Sequence, residues 1–219
     1  MKKVLLGLLA VVVIAILGVL GVASTKPDNS HVERSAVIAA APVDIMPLLS
    51  DFTQFVKWSP WSGVDPTQTT TFSDPPSGKG AWYAWKGNDQ VGEGKMTTVA
   101  LSDTSMKLKL EFFAPWQAQS EVTYTLVPDG DGTRVTWAYD EPQEMMNKVM
   151  AVFMDMDAML GADFEKGLAS MAPLAVEAQT ARVAAETAAA EAAEAAEAAA
   201  AADPTAMGAV PVATGTGTP

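Results

Sequence analysis

An unbroken apolar run of about 20 residues, from Val4 to Ala23, sets the first limit on the architecture of this chain. As a helix, such a run spans roughly 30 Å, the thickness of the hydrocarbon core of a bilayer. Lys2 and Lys3 precede the run, and flanking positive charges stay on the cytoplasmic side. The sequence therefore predicts a single-pass anchor at residues 4–23 in the cytoplasmic (inner) membrane, with the following residues on the outer, periplasmic side.

A cleaved signal peptide is the alternative interpretation of the same run. Signal peptides have apolar cores of about 7–15 residues and a cleavage site of small residues. Val22-Ala23-Ser24 offers a weak site of that kind. The length of the run favours an uncleaved anchor, followed by a polar linker over residues 24–31.

The composition excludes several kinds of chemistry. The net charge is −12 and the 14 Lys and Arg residues are scattered, so nucleic acid is not an expected partner. The chain has no cysteine, which rules out disulfides and thiolate chemistry. The one histidine, His31, lies in the linker, so neither a histidine-based metal site nor a Ser-His-Asp triad is expected. We predict no metal and no cofactor.

Between Thr67 and Tyr139, apolar residues alternate with polar ones, as in antiparallel strands with one covered face. The stretch "MKLKLEFF" at 106–113 shows this alternation clearly. Turn sequences at 87–90 and 129–132 separate successive strands. Together with a first strand in "VERSAVIAA", the pattern predicts a curved sheet of about six or seven strands.

Helical patterns flank the predicted sheet. Two short helices are expected in residues 42–58, the first one irregular because Pro47 lacks a backbone donor. The helical period over residues 142–171 predicts one long amphipathic helix that covers the sheet. The apolar stripe of this helix consists of Met146, Val149, Phe153, Met156, Leu160, Phe164, Leu168 and Met171.

The C-terminal part differs in composition from the rest. Residues 174–202 are rich in Ala and Glu and predict a solvated helix with no large side chains to pack. A coiled coil is not expected there, because its seam would contain nothing larger than alanine. Residues 203–219 are rich in Pro, Gly and Thr and are predicted to be disordered. The predicted folded domain is residues 32–173.

This order of elements resembles the START-like superfamily, also called SRPBCC, which includes the Bet v 1-like and polyketide cyclase/dehydrase families. The strings "VIAAAPVDIMPLLSDFTQFVKWSPW", "YAWKGNDQVGEGKMT", "GTRVTW" and "VFMDMDAMLGADFEKGL" are similar to a membrane-anchored bacterial subgroup. The resemblance covers residues 32–173, and Pro47 departs from the smooth helix that is usual in the family. It implies an α+β helix-grip fold, in which a curved antiparallel sheet wraps around a long C-terminal helix. Members typically hold an apolar ligand between sheet and helix, and a few are enzymes.

The resemblance implies a ligand cavity between the sheet and the long helix. Of the tryptophans around Ser59-Pro60, we expect Trp58 in the core and Trp61 nearer the cavity rim. At 100° per residue, Asp157 lies about 40° from Phe153, on the buried stripe, and burial should raise its pKa. It would either fix the helix by hydrogen bonding or face the cavity, where it is a weak catalytic candidate. The ten candidate lining residues are Trp58, Trp61, Tyr83, Trp85, Phe112, Tyr124, Trp137, Met150, Phe153 and Asp157.

Three functions fit the sequence. The favoured one is a membrane-anchored protein that binds a small hydrophobic or amphipathic ligand, lipid-like or polyketide-like. The second is a cyclase- or dehydratase-type enzyme that uses Asp157 with Tyr83 or Tyr124 as acid and base. Binding is favoured over catalysis because no pair of titratable residues has a spacing that requires catalysis. The third is a structural envelope protein with a collapsed cavity, for which a cavity below about 300 Å³ would be evidence.

Overall fold

The computed structural model describes residues 2–202, and the predicted disorder of residues 203–219 lies outside them. Five helices and seven strands make up this part of the chain. In chain order they are α1 (Lys2–Ser24), β1 (Asn29–Ile38), α2 (Pro42–Ser50), α3 (Phe52–Trp58), β2 (Thr69–Phe72), β3 (Trp82–Lys86), β4 (Glu93–Leu101), β5 (Ser105–Ala114), β6 (Ala118–Asp129), β7 (Gly132–Pro142), α4 (Met145–Phe153) and α5 (Met156–Ala202).

The seven strands form one antiparallel sheet in the order β1-β7-β6-β5-β4-β3-β2. Every neighbour is a sequence neighbour except for β1, which pairs with β7 over ten residues from Asn29↔Pro142 to Ile38↔Thr133. We call the end where β1 begins and β7 ends the anchor end of the sheet. The β5–β6 turn at residues 115–117 lies at this end as well, because β6 begins there and runs antiparallel to β7. The sheet and its C-terminal helix confirm the predicted α+β helix-grip class.

The period-two pattern explains which face of the sheet is covered. In β5, Met106, Leu108 and Leu110 are buried on the inner face. The intervening Lys107 and Lys109 point outward, where they form ion pairs with Glu121 and Glu111 at 2.6 Å each. Side chains alternate in this way because successive residues of a strand point to opposite faces. We refer below to the inner face, which α5 covers, and to the outer face.

The two short helices close one side of the inner face. Asp51 caps α3, since its Oδ1 accepts a hydrogen bond of 2.8 Å from the Thr53 amide. The indole of Trp58 donates a 2.8 Å hydrogen bond to the Leu48 carbonyl of α2, which joins the two helices. Pro47 lies within α2, whose inward residues are nonetheless buried, Leu49 completely. The predicted pair of short helices is confirmed.

The predicted single helix over 142–171 is wrong in two respects. The helix is broken, because Met154 adopts an extended conformation and Asp155 begins a new helix by accepting a 3.0 Å hydrogen bond from the Ala158 amide. The second helix, α5, also continues through Pro173. Ala175 is completely buried, so packing against the core persists beyond the proline.

The break also divides the predicted apolar stripe. The C-terminal half is buried as expected, with Phe164 and Leu168 at 1% exposure and Met171 at 0%. The N-terminal half is not, because Met146 and Phe153 are 71% and 70% exposed. The prediction extended one helical periodicity through residues 154 and 155, where the helix is broken. It therefore assigned the exposed residues before the break to the core.

Compact packing divides the chain into residues 1–179 and a second unit from Thr180 onward. In the second unit, the described residues from 183 to 201 are helical and exposed. An ion pair between Arg182 Nη1 and Glu186 Oε1 at 3.0 Å, four residues apart, supports this helix. In the first unit, α1 is the one described helix that is long and apolar enough to cross a membrane, and its apolar window is fully exposed. Signal sequences meet the same criteria of length and composition.

Candidate functional site

The inner face of the sheet carries a continuous set of aromatic rings. Seven of the ten predicted lining residues belong to it, and Phe55 connects their two halves. Trp58 is central, since its ring is 5.6 Å from that of Trp137 and 4.9 Å from that of Phe55. The seven predicted members are Trp58, Trp61, Tyr83, Trp85, Phe112, Tyr124 and Trp137.

The tryptophans around Pro60 have different surroundings. Trp58 is 1% exposed, as expected for the core. Trp61 is partly buried and meets Trp137 edge-on at 5.7 Å. From α5, Phe164 stacks on Trp137 with ring centroids 4.1 Å apart, and this stack joins the helix to the sheet.

These rings fill the space that the sequence assigns to a cavity. Two surface cavities lined by described residues bear on this expectation, and both open on the outer face. One of about 160 Å³ is lined by residues that include Thr71 and Ala84, which alternate with inward-pointing neighbours. The other, of about 410 Å³, is lined mainly by outward-pointing Lys109, Glu121 and Asp140. Neither cavity lies between the sheet and α5.

The expectation that Asp157 lies on a buried stripe with a raised pKa is wrong. Its side chain is 59% exposed and forms a two-pronged ion pair with Arg34 of β1, at 3.0 and 2.9 Å. Hydrogen bonding to the guanidinium lowers the pKa of Asp157. Arg34 Nε also contacts Glu165 of α5 at 3.1 Å, so these three charges hold the helix on the first strand.

Met150 and Phe153, the other two predicted lining residues, do not join the aromatic set. Both lie on α4 with exposed side chains, at 47% and 70%. The structure therefore brings seven of the predicted residues together and leaves Asp157, Met150 and Phe153 outside that group.

A polar cluster on the inner face, at the anchor end, was missed by the sequence reasoning. It consists of Ser120, Tyr139 and Glu141. The Ser120 hydroxyl donates a 2.8 Å hydrogen bond to the Tyr139 hydroxyl oxygen, and both residues are buried. The spacing of Trp137, Tyr139 and Glu141 in β7 is the sequence signal that could have revealed this cluster, because residues two apart in a strand point to the same face.

Burial shifts the acidity of this cluster. Loss of solvent raises the pKa of the Tyr139 hydroxyl far above its usual range. Burial also raises the pKa of the half-buried Glu141, although hydrogen bonding to Tyr139 opposes that shift. A carboxyl group with a raised pKa beside a phenol and a hydroxyl can bind a polar ligand group or give it a proton.

An unpaired donor lies on the same face of β7 as this cluster. The indole nitrogen of Trp137 is buried and has no hydrogen-bond partner among the described residues. A buried N–H without a partner costs about 1–3 kcal/mol, so a ligand acceptor at this position would be favourable. Since Trp137 precedes Tyr139 by two residues, the orphan donor and the polar cluster share the inner face.

The described residues hold no group of three or more His, Cys, Asp or Glu side chains that could bind a metal ion. His31 is exposed and its Nδ1 lies 2.8 Å from Asp140 Oδ1 on the outer face. Nothing in this arrangement points to a particular cofactor.

Comparison with solved structures supports the fold. A protein of unknown function from Staphylococcus aureus, SA2116, is similar over 69% of this chain and 96% of its own, with 13% identity and a TM-score of 0.53. Mll3558 from Rhizobium loti is similar over 65% and 96%, with 15% identity and a TM-score of 0.50. At such identities the likeness concerns the fold alone. No curated protein matches the chain.

A family model described as "Polyketide cyclase / dehydrase and lipid transport" matches residues 30–176, about two thirds of the chain. The match includes all of the sheet except Asn29, both short helices, α4 and the part of α5 that packs on the core. It supports a fold of ligand-binding or cyclase type. The chain therefore belongs to the polyketide cyclase/dehydrase and lipid transport family, within the SRPBCC superfamily.

Proposed function

We propose that this protein is a membrane-anchored binding protein for a small amphipathic molecule. The observation that carries the proposal is a polar cluster set into an inner face that is otherwise mainly apolar and rich in aromatic rings. Ser120, Tyr139 and Glu141 would bind the polar group of the ligand, and the unpaired indole N–H of Trp137 would donate to it. The neighbouring rings offer apolar contacts to the body of the ligand.

The entry to this site is proposed at the anchor end. Glu141 is half-buried, so solvent reaches the inner face there. The rings fill the interior, and ligand binding therefore requires the inner face to open. The chain between α4 and α5, at Met154 and Asp155, is the place where the covering helices are interrupted.

The membrane anchor is the second part of the proposal. The exposed, apolar α1 has the length of a bilayer span, and Lys2 and Lys3 favour a cytoplasmic N-terminus. The folded domain would then lie on the outer side of the inner membrane. An uncleaved anchor requires that the mature protein resist extraction by alkaline carbonate, and release into the wash would contradict it.

The binding function is tested by purifying the full chain in detergent, extracting it with organic solvent and measuring the extract by mass spectrometry. We expect a compound that is enriched over a mock purification. Ser120→Ala should deplete that compound, because the variant removes a hydroxyl from the cluster. Gln119→Ala, on the outer face one residue away, is the matched control and should retain it. An extract that is reproducibly empty contradicts the proposal.

A cyclase- or dehydratase-type reaction is a second candidate, favoured by the raised pKa of Glu141 beside Tyr139. Glu141 would act as the general acid: it protonates the leaving hydroxyl, which departs as water when its C–O bond breaks, and the resulting carboxylate takes the proton from the neighbouring C–H bond as the double bond forms. In that case, the wild type should retain the dehydrated product, whereas Glu141→Gln should retain the substrate, which is heavier by one water. Identical compounds in both extracts would leave binding as the function.

The ring-filled interior favours a third candidate, a structural envelope protein with a collapsed cavity. This candidate predicts an empty extract together with unchanged folding of the Ser120→Ala variant. It differs from the binding proposal in the extract alone, so the same purification separates the two.

A further inference from the structure

The helix α4 presents an apolar face to solvent. Met146, Met150 and Phe153 are 71%, 47% and 70% exposed, and their spacing of four and three residues places them on one side of the helix. The one charged side chain between Met145 and Met154 is Lys148, which is buried on the opposite side. Such a face is unusual on a soluble helix, whose outward positions are normally polar.

Contacts with the end of α1 fix the position of α4. The two helices pack against each other, and Ala23 in the last turn of α1 is completely buried. Asp28, just beyond α1, forms an ion pair with Lys148 and accepts a 2.8 Å hydrogen bond from the Gln143 amide. The apolar face of α4 is therefore held close to the point where the chain leaves α1.

A second apolar feature lies at the same end of the sheet. The β5–β6 turn exposes Trp116 by 75%, and Phe113 just before it by 47%. The β6–β7 pairing reaches Glu121↔Asp140 and β7 ends at Pro142, so the β5–β6 turn and the start of α4 at Met145 both lie beyond the paired residues at the anchor end. The aromatic turn and α4 therefore lie at the same end of the sheet.

We propose that the exposed face of α4 and the β5–β6 turn form a docking surface for the lipid bilayer that α1 spans. This docking surface consists of Phe113, Trp116, Met146, Met150 and Phe153. The inference rests on the membrane anchor of the proposed function. Because α1 and α4 are packed together, a bilayer around α1 meets α4 directly, whereas a protein partner would have to fit between the domain and the lipid.

The chemistry of the docking surface indicates insertion by apolar contact. Met and Phe side chains suit the acyl boundary, and tryptophan is enriched at the level of the headgroups. The five residues include no cation, so docking should not require anionic lipid and should persist at high salt. Glu141 is two residues from Gln143, which is bound to Asp28, so the proposed ligand entry would open next to the lipid.

The absence of cysteine allows a direct test, since each introduced cysteine carries a single label. Full-length Met150→Cys and Trp116→Cys would be labelled with a fluorophore and reconstituted into phosphatidylcholine vesicles. Emission is then quenched either by lipids that carry a nitroxide near the headgroup or by aqueous iodide. Ser102→Cys, in the β4–β5 turn at the opposite end of the sheet, is the matched control.

We expect the lipid nitroxide to remove most of the emission at positions 150 and 116 and to leave position 102 unchanged. Iodide should have the reverse effect, and neither pattern should depend on salt. Quenching of positions 150 and 116 by iodide and not by lipid would overturn the proposal. Shielding of both positions from both quenchers would also overturn it, because it indicates contact with a second copy of the chain.

Leu9→Cys in α1 separates this inference from the anchor on which it rests. Lipid quenching at position 9 without quenching at 150 and 116 means that the chain is anchored and its domain does not dock. Absence of lipid quenching at position 9 means that the anchor itself has failed. A stable detergent-purified protein for every variant, shown by an unchanged unfolding temperature, ensures that neither result reflects misfolding.

Discussion

At the scale of single residues, the inner face combines close packing with an unsatisfied polar group. Trp137 is the centre of this environment, since it contacts Trp58, Trp61, Tyr124 and Phe164 through its ring. Its buried indole N–H has no partner among the described residues. A core that is filled so tightly should respond to small changes in volume. The half-buried Glu141 at the edge of the core should make stability depend on pH.

Gly167→Ala tests the packing of α5 on Trp137. An added Cβ would lie 2.8 Å from Trp137 Cζ3, closer than carbon atoms tolerate, and 3.1 Å from Pro60 Cδ, tighter than most carbon contacts. Alanine gains about 1 kcal/mol of helix propensity over glycine, whereas overpacking a core costs about 1–3 kcal/mol. We expect a net loss of about 1 kcal/mol in the free energy of unfolding, measured with urea. Ser170→Ala, exposed on the same helix, should be neutral or slightly stabilising; equal effects of both would contradict the packing.

Glu141→Gln tests the acidity of the polar cluster. The pKa of Glu141 is raised above 4.5, so its contribution to stability is fully present below pH 4.5 and is lost as the pH rises through the higher folded-state pKa. The variant should therefore become more stable relative to the wild type as the pH rises through that range. Thermal unfolding from about pH 4 to about pH 8 measures the difference. A difference that does not change with pH would mean that burial does not perturb Glu141.

At the scale of elements, the break between α4 and α5 divides one amphipathic sequence into two helices with different roles. The helix α5 buries Phe164, Leu168 and Met171 against the sheet, and Arg34 binds two of its carboxylates. The helix α4 contributes Lys148 to the ion pair with Asp28 and leaves its apolar side exposed. The helix α5 therefore stabilises the domain, whereas α4 has an apolar surface that the core does not use.

The double variant Met150→Asp/Phe153→Asp separates these roles. Both side chains are exposed, so the unfolding temperature in detergent should change little. In vesicles, charges on the apolar side of α4 should move the helix out of the lipid, and a fluorophore attached through Trp116→Cys should become more accessible to iodide. Asn147→Asp, on another side of the same helix, is the control. A large loss of stability in detergent would show that α4 packs against the core through this side.

At the scale of the whole molecule, the covalent order of the chain brings distant segments to one end of the sheet. Because β1 pairs with β7, the residues that follow α1 lie beside the residues that precede α4. The residues that follow α1, the polar cluster and the start of α4 are consequently at the same end of the sheet. A ligand that partitions into lipid would meet the proposed entry without crossing the aqueous phase.

Truncation tests where the folded domain ends. A chain that stops after Thr187 should unfold at the temperature of the full chain, since the described residues that it loses are exposed. A chain that stops after Ala172 loses buried Ala175 and the 2.7 Å hydrogen bond from the Ala41 amide to Gln179 Oε1. We expect it to lose about 2 kcal/mol in the free energy of unfolding, and equal stability of both truncations would contradict this boundary.

The sequence by itself determined the properties that depend on local periodicity. Alternation in residues such as Lys107 and Leu108 predicts strands and their covered face, because side chains alternate along any extended backbone. The helical spacing of Phe164, Leu168 and Met171 predicts a buried stripe for the same kind of reason. These patterns, with the family resemblance, were enough for the α+β helix-grip class.

Only the tertiary structure decided the features that depend on contacts between distant residues. Asp157 was assigned to the core by a phase continued through residues 154 and 155, where the helix is in fact broken. Its partner Arg34 is 123 residues away, so no local pattern could reveal the ion pair. Glu141 lies beside Ser120 because of the register between β6 and β7, and α4 lies beside α1 because β1 pairs with β7. Spacing along the sequence does not encode either pairing.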